Sequence, residues 1–374
     1  MRPLLMYADR SLDPDEPLPW NESALHQDLG LDILYAAMAG GDRFILDLVS
    51  KVLLSARCND VAALRYRQAA VRDSLDNPAA IRELYELAAG ATENARRHHH
   101  IFRSRHPTSM LYEAIEAMRE FLGSLRRLGD VARARRAGFA SAPFRSLFDL
   151  VERELDAEYL ARVEGHLKDL KFPRGLMLRA ELGAGNRGSG YVLLESRRDD
   201  RPWFQRLFDQ GPPGLSFSLD PRDEAGHSIL HELRNRGIQS AARALARAVD
   251  QIGAFFQSLR VELGLLVGSL NLYERLSALG HRICFPTPLP AEQRGSSCRD
   301  LYDPSLALQM GRRTIGNRLD AEGKDLLIIT GANRGGKSSF LRSLGVAQVM
   351  LQCGLFVPAG AFRGELCPSL VTHF

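Results

Sequence analysis

Over most of the chain, apolar residues recur at three- and four-residue spacing, the signature of helices with one buried face. After a proline-punctuated lead-in over residues 1–22 (Pro14, Pro17, Pro19), Leu25, Leu29, Leu31, Ile33, Leu34 and Ala37 fall on one face. Gly40 and Gly41 mark a break before a second helix, Phe44 to Leu54. A third covers Val61 to Ser74, and a fourth follows Asn77-Pro78. Leu111, Ile115, Met118, Phe121, Leu122 and Leu125 set a further helix over Met110 to Leu128, and another is expected from Phe144 to Leu170.

At Phe172-Pro173 the period changes. Leu176, Leu178, Ala180 and Leu182 alternate with polar positions, a glycine-rich stretch follows, and Tyr191 to Glu195 reads as a return strand. A further strand, Leu215 to Leu219, completes a small β insertion. Gly183, Gly185 and Gly188 match G-x-G-x-x-G by spacing, but no helix follows them, so the dinucleotide reading fails its own context. Helical spacing returns from Asp223 to Leu279. About fifty residues of helix would span roughly 75 Å, a length suited to a lever, with Gly237, Gly253, Gly264 and Gly268 as expected bends or breaks. His281 to Pro290 forms a proline-rich boundary.

Beyond that boundary the pattern gains chemistry. Leu326, Leu327, Ile328, Ile329 and Thr330 follow Asp325 as a short apolar run without alternation, as in a parallel strand buried on both faces. Gly331-Ala332-Asn333-Arg334-Gly335-Gly336-Lys337-Ser338 then fits G-x-x-x-x-G-K-[ST], followed by Ser339 and a helical stretch ending near Gly354. Glycines let backbone N–H groups converge on an anion, and a helix N-terminus adds partial positive charge. In this pattern Lys337 reaches the β and γ phosphates of a nucleotide such as ATP, and Ser338 ligates Mg²⁺.

The wording of this segment, IITGANRGGKSS followed by FLRSLGVAQVMLQCGLFVPA, resembles the phosphate loop of the MutS family. Asn333, Gly335, Gly336, Lys337, Ser338, Leu341, Arg342, Gln348, Gly354, Phe356, Val357, Pro358 and Ala359 match the family pattern; Ala332, Arg334 and Ser339 depart from it. The stretch through RYRQ at residues 65–68 resembles the start of the MutS core domain. Asp300 to Pro304 and Thr314 to Asn317 are similar to the opening strands of the ATPase domain, with Asp303 where family members place histidine. The resemblance puts Thr314 and Ile315 at the adenine pocket, where neither side chain can stack as an aromatic ring does. It also implies DNA as a partner and homodimerisation through the ATPase domain.

Composition adds bounds. The chain is 45% hydrophobic and 25% charged over 374 residues, enough for a sizeable core in two or three domains. Net charge is +4, a mild excess that permits nucleic-acid binding without requiring it. Only five of the 49 basic residues are lysine, so the positive charge is almost all arginine. Five scattered cysteines without a C-x-x-C, no signal-peptide core and no membrane-length apolar run make a cytoplasmic protein the expectation. The cluster Arg126, Arg127, Arg133, Arg135 and Arg136 could meet a DNA backbone or stay solvated, and solvation is the commoner fate. His98-His99-His100 point in three directions on a helix, and His227 with His231 lacks a third ligand, so neither group makes a metal site.

The expected organisation is an α-helical MutS core and lever region with a small β insertion, followed by the start of an α/β P-loop NTPase domain. Its parts are a helical core over 1–172, the β insertion over 173–222, lever helices over 223–283 and the ATPase part over 284–374. Hydrolysis also needs a carboxylate to hold the Mg²⁺ shell and a group to orient water. After Lys337 the sole carboxylate side chain is Glu365, and no strand ending in Asp-Glu follows, so no catalytic residue is identifiable. The family's mismatch-reading wedge is unrecognisable as well. The chain therefore reads as the N-terminal part of a longer MutS-like polypeptide, or a truncated product, whose complete form would be an ATPase. Two rivals remain: a coupled P-loop machine of the transporter or chromosome-maintenance type, and a non-hydrolysing helical scaffold or nucleotide sensor that dimerises.

Overall fold

A computed structural model describes residues 1–55, 58, 60–98, 106–173, 175–183, 188–194, 220–290 and 292–373. Among them the chain is mostly helical: α1 (Glu22–Leu29), α2 (Leu31–Ala39), α3 (Arg43–Ser55), α4 (Val61–Asp76), α5 (Pro78–Arg97), α6 (Pro107–Arg135), α7 (Ala142–Glu154), α8 (Ala157–Asp169), α9 (Glu224–Ala278), α10 (Pro304–Met310) and α11 (Lys337–Gln352). The strands are β1 (Met177–Leu182), β2 (Gly188–Leu194), β3 (Thr287–Leu289), β4 (Ser296–Leu301), β5 (Asn317–Asp320) and β6 (Ala361–Glu365). No helix among the described residues is long and apolar enough to cross a membrane.

The chain groups into two compact units. One holds Met1–Thr92, Arg126–Asp156 and Ala254–Phe374; the other holds Glu93–Leu125 and Ala157–Gly253. In the first, the core forms around the Ala254–Ala278 part of α9, which buries Phe255, Phe256, Leu259, Leu263, Leu266, Leu270 and Leu276 and so is apolar nearly all round. The glycines expected to break α9 do not, because their missing side chains admit neighbours. A Cβ on Gly264 would sit 2.9 Å from Leu48, and one on Gly268 would sit 3.3 Å from Ile45, both on α3. A glycine costs a helix about 1 kcal/mol, which close packing of this kind offsets.

The lead-in is irregular backbone with bends and a turn rather than a straight extended run, and part of it is core. Leu5, Met6, Tyr7 and Leu12 are all buried. The first helix of the sequence reading is two helices, α1 and α2, because Gly30 adopts φ +61° between them. The single helix expected from Phe144 to Leu170 is also two: Leu155 leaves the helical region (φ −118°, ψ 44°) and buries its side chain, so α7 ends and α8 starts afresh.

The same unit carries a four-stranded sheet in the order β3-β6-β4-β5, with β3 parallel to β6 and β4 antiparallel to both its neighbours. The expected strand at 325–330 is absent from it. Leu326, Leu327 and Ile328 are 75%, 44% and 79% exposed. A strand buried on both faces exists only where neighbours complete its ladder, and no described strand pairs with this run.

In the second unit, β1 and β2 form the expected antiparallel hairpin. Leu178 of β1 lies where a Cβ on Gly237 would be, 2.2 Å from its Cδ2, so this glycine too is a packing contact. Thr108 donates to Asn235 Oδ1 at 2.6 Å, and Lys171 pairs with Glu116 at 2.8 Å. The expected strand Leu215 to Leu219, His99, His100 and Gly185 lie outside the described residues. Beyond Gly188 of the G-x-G-x-x-G spacing comes β2, not a helix.

Candidate nucleotide-phosphate site

The loop 331–336 hands the chain to α11 through three left-handed or glycine-dependent positions. Gly331 has φ +153°, Arg334 φ +66° and Gly336, the N-cap, φ +83°. A Cβ on Gly335 would stand 2.9 Å from the Ala332 carbonyl oxygen, to which the Gly335 amide donates at 3.1 Å. No side chain caps α11, and its first intrahelical bond is Phe340 N–H to Gly336 at 2.9 Å. The amides of Lys337, Ser338 and Ser339 are thus free donors at the positive end of a 16-residue helix.

Lys337 Nζ folds back over the loop and donates to the Gly331 and Ala332 carbonyls, each at 2.8 Å. Ala332, Asn333, Arg334 and Ser338 are exposed, and Ser339 is half-buried at the helix start. The sequence-predicted residues therefore share one short loop and helix start. A cationic amine, three free amides and a serine hydroxyl match the needs of a magnesium-bound nucleotide phosphate, so the donor set fits the group the motif implies.

The rest of the matched segment holds α11 in place. A Cβ on Gly345 would lie 2.5 Å from Leu29 of α1. Arg342 Nε donates to the Asp28 carbonyl at 3.2 Å, and its Nη1 lies 3.4 Å from Asp303 Oδ2. Asp303, standing where the resemblance expects histidine, caps α10 by accepting the Leu306 amide at 3.1 Å. Burial pushes its carboxyl up, against the pull of that amide and of Arg342. At the far end of α11, Gln348 donates to the Glu365 carbonyl and Gln352 to the Cys367 carbonyl, both at 2.8 Å. Phe356, Val357 and Ala359 are fully buried, and Val357 exchanges backbone hydrogen bonds with Cys284.

Two residues that sequence reasoning passed over anchor this end. Arg67 of α4, 1% exposed, donates from Nε to the Met6 carbonyl at 3.1 Å, lies 4.0 Å over the Tyr7 ring and reaches the Cys353 carbonyl at 3.5 Å. Glu262 of α9, fully buried, accepts the amides of Leu5 and Leu12. The signal for Glu262 was a lone carboxylate inside the apolar run Val261 to Leu266; for Arg67 it was the RYRQ wording.

Other candidates separate from the loop. Thr314 donates its amide to His281 Nε2 at 3.2 Å, while Ile315 is 91% exposed. His281 stacks on Tyr302 with centroids 3.8 Å apart, and burial, helped by Arg313, holds its pKa down. Glu365 spends its carboxylate on the Gly295 amide at 3.0 Å. In the basic cluster, Arg133 pairs with Asp130, Arg135 with Glu83, and Arg136 with Asp149 and Glu152, so most of it is neutralised locally. His227 bonds the Asp220 carbonyl and His231 bonds Asn235; among the described residues no group of three metal-ligating side chains gathers.

The described residues are mostly helical, with the long α9 among them, and a glycine loop leads into the N-terminus of α11. The MutS2 N-terminal domain matches residues 59–279, and MutS domain V matches residues 327–373. With more than half of it matched, the chain belongs to the MutS family. It is similar to the DNA mismatch repair protein MutS of Microcystis aeruginosa, 29% identical over 33% of this chain and 15% of that protein. It is also similar to Endonuclease MutS2 of Exiguobacterium sibiricum, 28% identical over 41% of this chain and 19% of that one. The DNA mismatch repair protein Msh2 of Dictyostelium discoideum is 33% identical over 31% of this chain and 13% of its own length. The chain thus spans less than a quarter of these relatives.

Proposed function

We propose that this chain is the nucleotide-responsive part of a cytoplasmic MutS-type DNA repair protein. Gly331, Ala332, Asn333, Arg334, Gly335, Gly336, Lys337, Ser338 and Ser339 bind the phosphates of ATP, Ser338 holds Mg²⁺, and α9 couples nucleotide state to DNA contact. The observation that carries this reading is the uncapped start of α11, with free amides converging where Lys337 stands in reserve. The bound metal would neutralise phosphate charge. The chain's own work is to exchange the Lys337 bonds to Gly331 and Ala332 for bonds to the phosphates, and to seat them on the helix N-terminus. DNA as partner, repair as process, and pairing of two copies through the ATPase region come from the family, as does ATPase activity of the complete protein.

Lys337→Ala tests the site. Loss of binding of a fluorescent ATP analogue, with unchanged circular dichroism, is the expected result; a variant that binds as tightly as the parent sinks the assignment. A second reading, a nucleotide sensor or dimerising scaffold without turnover, draws on Glu365, whose carboxylate is committed to Gly295. Tight ATP binding without phosphate release by the full-length native polypeptide would favour it.

A further inference from the structure

The outer face of the four-stranded sheet carries a charge arrangement that the phosphate loop does not use. β4 and β5 pair Ser297 with Asp320 and Cys298 with Leu319, and Arg299 and Arg318 are the next residue on each strand, where the register slips. Both side chains line the same two neighbouring clefts on this face, of about 330 and 220 Å³. Two guanidinium groups lining one cleft repel each other unless something of opposite sign lies between them. Among the described residues no carboxylate lies within ion-pair distance of either. The nearby acids are engaged: Asp300 pairs with Arg282 at 3.3 Å and Glu322 with Arg363 at 2.7 Å. Asp320, the remaining carboxylate of the larger cleft, is approached by the Glu322 amide at 3.5 Å.

The backbone is shaped around the pair. Between Cys298 and Leu301 the register slips, and Asp300 takes φ +54°, rare for a residue with a side chain. Two glycines admit that turn: a Cβ on Gly316 would meet the Asp300 Cα at 2.6 Å, and one on Gly360 would meet its Oδ2 at 3.0 Å. A bulge of this kind re-aims the adjoining side chain, here Arg299. Arg363 flanks the larger cleft and Arg282 the smaller, each ion-paired with its own carboxylate, so Arg299 and Arg318 are the two guanidinium groups left for an anion.

We propose that this face binds the sugar–phosphate backbone of a nucleic acid, with Arg299 and Arg318 each taking a phosphate. Guanidinium forks suit phosphate oxygens, and two of them shared by two clefts suit two successive phosphates better than a single small anion. The proposal rests on the DNA-contact part of the function above and names a surface for it, independent of ATP binding.

The test is fluorescence anisotropy of a labelled DNA duplex with the full chain across a salt series. Each phosphate contact adds about 0.9 to the slope of log K against log salt concentration. Arg299→Gln with Arg318→Gln should lower that slope by about 2 and weaken binding alike on unrelated sequences. It should leave ATP binding intact and keep or raise the thermal midpoint, since a repulsion is removed. Parent protein that binds DNA together with a double variant of unchanged slope overturns the surface alone. Parent protein that binds no DNA overturns the surface and the DNA-contact reading together. Loss of inorganic triphosphate binding with an unchanged DNA slope overturns nucleic acid as the ligand. If the double variant loses its folded signal, Arg318→Gln carries the test: a slope lower by about 1 supports the surface, and no change overturns it.

Discussion

Glu262 on α9 accepts the backbone amide of Leu5 at 2.5 Å, across 257 positions of sequence. With the Leu12 amide at 3.1 Å on its other oxygen, one buried carboxylate holds the lead-in against the long helix. Arg67 holds the same lead-in through Met6 and touches the end of α11 through Cys353. The lead-in is therefore a strap between the helix that starts at the phosphate loop and the helix proposed to act as lever.

That strap is pH-sensitive. Burial pushes the Glu262 carboxyl from 4.5 up to about 7, although the amides of Leu5, Leu12 and Met6 and the charge of Arg67 pull the other way. A raised carboxyl binds its proton more tightly when folded than when unfolded. Its contribution is complete below the unfolded value of 4.5 and is lost as pH rises through about 7. Stability measured by denaturant titration should fall over that window by an amount on the order of 3 kcal/mol. Glu262→Gln should flatten the fall, and an equally steep slope in that variant refutes the attribution.

His281 acts in the opposite sense. Its ring nitrogen accepts the Thr314 amide, which only the neutral ring can do, and its pKa is held below the usual 6.5. A lowered histidine loses stability as pH falls from 6.5 through the folded value. On acidification, the protection of the Thr314 amide relative to its intrinsic exchange rate at that pH should fall in the parent, whereas His281→Phe, lacking the acceptor, should show little protection at every pH. Protection of the Thr314 amide that stays high and does not change with pH in the parent would contradict this.

Gly354 at the end of α11 tests how closely the strap and the loop helix meet. Its φ is +72°, and a Cβ there would lie 2.6 Å from Arg67 Cβ and 3.3 Å from the Leu64 carbonyl. Backbone strain and overpacking together should make Gly354→Ala destabilising by roughly 2–4 kcal/mol. Thermal unfolding within 1 °C of the parent would show that α4 yields freely there.

Helix positions were legible because a buried stripe forces three- and four-residue spacing, as in α3 and α4. The glycine loop was legible because its residues are local in sequence. What the spacing could not show is where buried partners come from. Leu5 and Leu12 look like lead-in because their acceptor lies some 250 positions away. Gly237, Gly264 and Gly268 look like breaks because the Leu178, Leu48 and Ile45 side chains that fill their space are set by tertiary packing. Arg299 and Arg318 carry no local signature; only the pairing of β4 with β5 brings them to the same clefts.

Ile328 shows the same lesson as a prediction. Its apolar run reads as a buried strand, yet in this chain the residue is 79% exposed and no described strand pairs with it. A residue so placed has little transfer free energy to lose, so Ile328→Lys in residues 1–374 should change stability by no more than about 0.5 kcal/mol. A strand buried on both faces would instead pay several kcal/mol for a lysine. Denaturant midpoints of the two proteins decide between them. A large loss would mean that the run is buried in solution, with its ladder completed by a second copy of the chain, and a concentration-dependent midpoint would then accompany it.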